Sequence, residues 1–173
     1  MTSVKSVANA ETAVLDAAKD MLRRGLVEGT AGNISARNSD GNIVITPSSV
    51  DYADMALDDL VLVDPEGGVL RAKDGRHPSS EMKLHLACYQ AFDDIGSVIH
   101  SHPVWATMFA IAHQPIPACI DEFAVYCGGD VRCAEYAANA MIGCIICIIS
   151  VNPDAAPDEQ ILARSMGVET PRA

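Results

Sequence analysis

An Asp40-Gly41 turn between two short extended runs, residues 33–37 and 43–46, commits the first half of this chain to antiparallel β structure. A second pair of runs, residues 60–64 and 69–72, is joined through Pro65-Glu66-Gly67-Gly68 and reads as another hairpin. One amphipathic helix precedes both, over residues 10–24. Its Val14, Leu15, Ala18, Met21 and Leu22 share a face at the 3.6-residue period, and Gly25 is a natural stop.

The second half changes character. Met82, Leu86 and Tyr89 recur at helical spacing after Pro78-Ser79-Ser80-Glu81, with a serine placed to cap the helix. Residues 97–102 read as a strand, and Pro103 suits the first turn of a helix over 104–112. Residues 133–141 and 158–166 are weaker helical candidates, and 144–151 is a buried-strand candidate. At 173 residues this is α/β organisation in one domain, 1–173, without internal repeats.

Composition removes several function classes. A net charge of −11 argues against sequence-independent nucleic-acid binding, which needs clustered Lys and Arg. It also means that an anionic substrate requires local positive potential. Residues 1–9 lack the apolar core of a secretory signal, and the longest apolar run, 144–149, is far shorter than the roughly 20 residues a bilayer takes. The expectation is a soluble cytoplasmic protein with no membrane partner. Cys88, Cys119, Cys127, Cys133, Cys144 and Cys147 are expected as buried thiols rather than disulfides, and Cys144-Ile145-Ile146-Cys147 has no second pair to complete a zinc site.

The strongest chemical signal is Ser97-Val98-Ile99-His100-Ser101-His102-Pro103. On an extended strand, side chains at i and i+2 share a face, so His100 and His102 can offer two imidazoles to one divalent cation. Such a pair also arises by chance on exposed strands. Three small-residue turns form a second signal: 29–33, 46–49 and 79–80. Glycine lets backbone N–H groups approach an anion, Ser, Thr and Asn add donors, and a helix N-terminus adds about half a positive charge. Taken singly these are ordinary turns and caps, and spacing alone does not show whether they converge. Glu81 is either a surface residue complementing the helix dipole or, beside a metal, a base for the proton alpha to a carbonyl. His85, four residues on, shares its helical face and reads as a core or supporting residue, whereas His77 and His113 read as solvated.

Taken in order, five stretches resemble the class II aldolase/adducin family. They are Gly25-Leu26 with Gly29-Thr30-Ala31-Gly32-Asn33-Ile34-Ser35, then Ile45-Thr46-Pro47-Ser48, then Pro78-Ser79-Ser80-Glu81 with His85, then Val98-Ile99-His100-Ser101-His102-Pro103, and Ile116-Pro117. The resemblance runs from about residue 10 to about 138 and is most similar in pattern to the fuculose-phosphate aldolase branch; residues 139–173 diverge and read as a shortened or altered C-terminus. It implies a three-layer α/β/α sandwich around a largely antiparallel central sheet, C-terminally incomplete. It implies Zn2+ or another divalent cation on His100 and His102. It implies a substrate phosphate held by Thr30, Asn33, Thr46, Ser48, Ser79 and Ser80, with Glu81 as the catalytic acid/base.

The implied reaction is cleavage of a ketose 1-phosphate to dihydroxyacetone phosphate and an aldehyde, in a cyclic homotetramer. Sugar-phosphate epimerases and dehydratases of the same family are the neighbouring activities. The resemblance also implies a third metal histidine on a later strand, but His113 is the last histidine of the chain. An inactive aldolase-fold module for binding or assembly is therefore the competing expectation, with Glu81 or a cysteine as the replacement ligand in an active chain. Where the family's aldolases carry a proton-donating tyrosine, this chain has Asp121-Glu122-Phe123, with Tyr126 shortly after.

Overall fold

A computed structural model describes residues 4–133, 146–150 and 162–165, with side chains over 10–125 and 127–133. Helix α1 (Val4–Arg23) leads into strands β1 (Asn33–Arg37) and β2 (Ile43–Ile45). A short 3-10 turn (Leu57–Asp59) precedes β3 (Val61–Val63) and β4 (Val69–Arg71). Then follow α2 (Met82–Ala91), β5 (Ser97–His100), α3 (Val104–Ile111), α4 (Asp121–Cys127), β6 (Ile146–Ser150) and β7 (Leu162–Ser165). The strands form one sheet in the order β4-β3-β2-β1-β5-β6-β7, and every neighbouring pair is antiparallel.

Strand alternation divides the sheet's side chains between two helical layers. Ile34, Val44 and Leu62 face α1 and meet its buried Val14, Ala18 and Met21. Ile43, Ile45, Val61, Val63 and Val98 face the other way, onto Leu86 and Tyr89 of α2. This is the expected α/β/α sandwich. Helix α1 ends as its glycine predicts: Gly25 has φ +68°, its N–H donates to Leu22 O, and the Leu26 N–H donates to Met21 O. The helix begins six residues earlier than the apolar stripe suggested, because residues 4–9 contain nothing that breaks a helix.

Three expectations are corrected. Glu81, not a serine, occupies the N-cap of α2, and the Ser79 hydroxyl instead accepts the Glu81 N–H at 3.3 Å. Residues 162–165, expected within a weak helix, form β7, because pairing with β6 (Ile149 opposite Ala163) outweighs weak local propensity. Cys119 is exposed and Cys127 and Cys133 only partly covered, so among the described thiols Cys88 alone is fully buried. Helix α4 was not anticipated; its apolar residues fall in no clear period. The helix expected over 133–141, the divergence of 139–173 outside the two strands, and the Cys144 and Cys147 side chains lie outside the described residues. No helix among the described residues is long and apolar enough to cross a membrane.

Asp59 anchors the 3-10 turn. Its carboxylate accepts the Ala56 N–H at 3.0 Å and the Arg76 Nε–H at 2.7 Å, with Lys73 Nζ at 3.7 Å. The Ala56 N–H first, then Arg76 and Lys73, hold this carboxyl below the usual carboxylate range despite its burial. A carboxyl whose folded pKa lies below its unfolded value, about 3.9, stabilises fully above that pH and loses the contribution as pH falls through the folded value. We therefore expect Asp59→Ala to cost about 2 kcal/mol in urea unfolding at neutral pH. The difference from the parent should shrink below roughly pH 4. A constant difference down to acid pH would show that the loss is one of packing.

Candidate metal centre and active site

Strands β1 and β5 pair with Asn33 opposite His100, and alternation turns both side chains toward α2. Strand β5 ends at His100, so His102 is not the next same-face position of a strand, as the i, i+2 spacing suggested. The irregular segment after the strand nevertheless brings the two rings together. Their Nε2 atoms stand 2.8 Å apart and the rings meet edge to face, with centroids 4.6 Å apart. From the N-cap of α2, the Glu81 Oε2 reaches to 3.1 Å from His100 Nε2. The carboxylate thus turns away from its own helix terminus, where it makes no side-chain cap, and toward the two histidines.

The ligand atoms of Glu81, His100 and His102 all lie within 4.8 Å of one another. Two imidazole nitrogens and one carboxylate oxygen are the donors that zinc and similar divalent ions take, and catalytic zinc sites use three protein ligands with a fourth position open. Around a tetrahedral ion at roughly 2.0–2.1 Å, ligand atoms stand about 3.3 Å apart, so the two rings need separate only slightly to admit one. His100 is fully buried, and burial holds its imidazole below the ordinary value; the Glu81 charge pulls it up and His102 pushes it down. A neutral imidazole with its lone pair free is what coordination requires. The residues fit the group.

The polar loops converge beside this cluster, which sequence spacing could not show. The Thr46 hydroxyl accepts the Ile34 N–H at 3.1 Å, and the Thr46 carbonyl accepts the Ser79 N–H at 3.1 Å. The Ser48 N–H donates to His77 O at 2.9 Å, and Pro47 bridges to Pro78. Loops 46–49 and 79–80 are therefore strapped together, with Ser48 and Ser80 exposed and Thr46 and Ser79 buried. The 29–33 loop is pinned at Gly32, whose carbonyl accepts the Tyr52 hydroxyl at 2.8 Å. Thr30 is exposed at that loop's tip, and His77 and His113 are exposed, as expected.

Asn33 is held on both sides of its amide. Its Nδ2 donates to Glu81 Oε2 at 2.6 Å, and its Oδ1 meets His85 Nε2. His85 Nδ1 lies 2.6 Å from the Ser35 hydroxyl, which lies 2.9 Å from the Tyr89 hydroxyl. Burial, and then the nearby His100, push the His85 pKa down to about 3, so its ring is neutral. Burial also raises the Tyr89 phenol.

Residues 12–146 match the Class II Aldolase and Adducin N-terminal domain. The chain belongs to the class II aldolase and adducin family. It is 38% identical over 124 residues to the L-fuculose phosphate aldolase of Escherichia coli O6:H1, covering 72% of this chain and 56% of that protein. It is 44% identical over 123 residues to an L-ribulose-5-phosphate 4-epimerase of Salmonella paratyphi C, covering 70% of this chain and 53% of that one. Among solved structures, an L-fuculose 1-phosphate aldolase superposes with a TM-score of 0.70 at 35% identity, over 80% of this chain and 62% of that chain. The Thermus thermophilus L-fuculose-1-phosphate aldolase gives 0.62 at 26% identity, over 75% and 65%. The chain spans about half the length of the curated relatives it matches.

Within this class II aldolase frame, Glu81 is the residue that completes a group of three ligand-type atoms with the two histidines. Glu122 is exposed in the first turn of α4, and the Tyr126 side chain lies outside the described residues. Sequence reading missed Ser35 and Tyr89. Two signals point to them: Ser35 shares strand parity with Asn33, and Tyr89 continues the helical i, i+4, i+8 series from Glu81 through His85.

Proposed function

We propose that the protein is a divalent-metal-dependent aldolase that cleaves a ketose 1-phosphate, such as L-fuculose 1-phosphate, to dihydroxyacetone phosphate and an aldehyde. The observation that carries this reading is the meeting of Glu81, His100 and His102 beside the strapped loops 46–49 and 79–80. A divalent ion held by Glu81, His100 and His102 would supply Lewis acidity to the reaction. The exposed hydroxyls of Thr30, Ser48 and Ser80, with Thr46 and Ser79 behind them, grip the phosphate. Asn33, whose amide also holds Glu81 and His85, completes that grip. In the cleavage direction the C3–C4 bond breaks, the O4 proton passes to a carboxylate base as the aldehyde forms, and Glu81, protonated from solvent beforehand, delivers that proton to C3 and returns to the carboxylate. Glu122 is our candidate carrier for the O4 proton. Assembly of several copies is supported by the exposed apolar residues Trp105, Met108 and Ile111 of α3.

The 44% identity to a ribulose-phosphate epimerase supports a second reading, an epimerase that uses the same cluster. One experiment separates the readings. The purified chain is titrated with zinc and then offered L-fuculose 1-phosphate and L-ribulose 5-phosphate. Stoichiometric zinc with release of dihydroxyacetone phosphate is the expected result. Turnover of the pentose phosphate alone selects the epimerase. No zinc at micromolar concentration and no turnover of either would leave a binding or assembly module.

A further inference from the structure

We infer that Tyr89, Ser35, His85 and Asn33 form a one-directional chain of hydrogen-bond donations that sets the Glu81 carboxylate against the two histidines. The inference rests on the reading of Glu81, His100 and His102 as the metal-holding cluster. Its first step is the Asn33 amide. The group facing Glu81 Oε2 at 2.6 Å is the NH2, since the amide oxygen in that place would oppose a carboxylate. Asn33 Oδ1 is then turned toward His85 and must receive a proton, which places the His85 hydrogen on Nε2.

The neutral ring is left with a bare Nδ1, which accepts from the Ser35 hydroxyl, and Ser35 accepts in turn from the Tyr89 hydroxyl. Every member of this file is buried: Tyr89 at 4% exposure, Ser35 and His85 at 0% and Asn33 at 5%. Water therefore cannot stand in for a missing partner, and one amide flip would reverse the whole file. Arg37 keeps the far end in place: its guanidinium lies 4.9 Å from the Tyr89 ring centre and donates to the Tyr89 carbonyl at 2.9 Å. Ser35, His85 and Tyr89 are positioning residues. They act on the carboxylate only through Asn33, as the outer partners of metal-bound groups do.

The test begins on the metal-free parent chain. Long-range nitrogen–proton NMR of His85 is expected to show a protonated Nε2 and a bare Nδ1, and the Asn33 amide protons are expected to shift in His85→Leu and to stay near the parent's in His85→Gln, which keeps an N–H for Asn33. A proton on Nδ1, or Asn33 signals indifferent to His85→Leu, would overturn the inference whether or not zinc binds. Zinc titration is the second arm. His85→Leu is expected to weaken binding by about 10- to 100-fold, with His85→Gln recovering most of the loss. Unchanged zinc affinity in a folded His85→Leu would also overturn it. A parent chain that binds no zinc overturns the metal reading instead, and the His85 and Asn33 signals then decide the inference alone.

Discussion

Replacing Glu81 by glutamine is expected to slow aldol cleavage about a thousandfold, with kcat taking nearly all of the loss. Glutamine matches glutamate in size and still offers an oxygen to the Asn33 amide at the place where Glu81 Oε2 now accepts. It cannot carry a proton to or from carbon. The hydroxyls proposed to hold the phosphate lie on the neighbouring loops and are untouched, so KM should hardly move. Steady-state kinetics with a saturating divalent ion makes the measurement. A variant within a few-fold of the parent in kcat would remove Glu81 from proton transfer and leave it only a place among the metal donors.

Gly32→Ala is expected to cost about 3 kcal/mol or more of stability, the largest loss we foresee for any single methyl group. Gly32 has φ +104°, a conformation that side-chain-bearing residues rarely adopt. A β-carbon there would stand 2.7 Å from the His100 carbonyl oxygen and 2.8 Å from Val27 Cγ1. The backbone oxygen belongs to the paired β5 and has little room to retreat. Relief must come from parting β1 and β5 where Asn33 faces His100, so the variant should also lose zinc affinity. Gly29→Ala is the control: its φ is +57° but nothing lies within 4 Å of the added carbon, and about 1 kcal/mol is expected. Equal urea midpoints for the two variants would show that strain, rather than the close approach to His100, sets the cost.

The hairpins, the α1 stripe and α2 were legible in the sequence because each rests on local evidence: Asp40-Gly41, the period of Val14, Ala18 and Met21, and the spacing of Met82, Leu86 and Tyr89. His100 and His102 were legible as a pair, though for the wrong geometric reason, since the strand stops between them. Three things had no local signal. The direction of the Glu81 carboxylate depends on β1 and β5 lying beneath the start of α2. The strapping of loops 46–49 and 79–80 depends on backbone bonds between residues far apart in the chain. Strand β7 depends on a partner, β6, and its own residues have no strong preference to announce it.

The pairing of Asn33 with His100 bears on the order in which this molecule is made. It joins the first hairpin to a strand that follows an intervening hairpin and helix, so its loop-closure cost falls late in folding. That long-range contact is what brings the Asn33 amide to 2.6 Å from the Glu81 carboxylate, so the cluster gains this support only once the contact exists. An ion held by Glu81, His100 and His102 would then add stability to a formed fold by mass action. Such a site would be the opposite of a zinc finger, where the ion is what makes the chain fold.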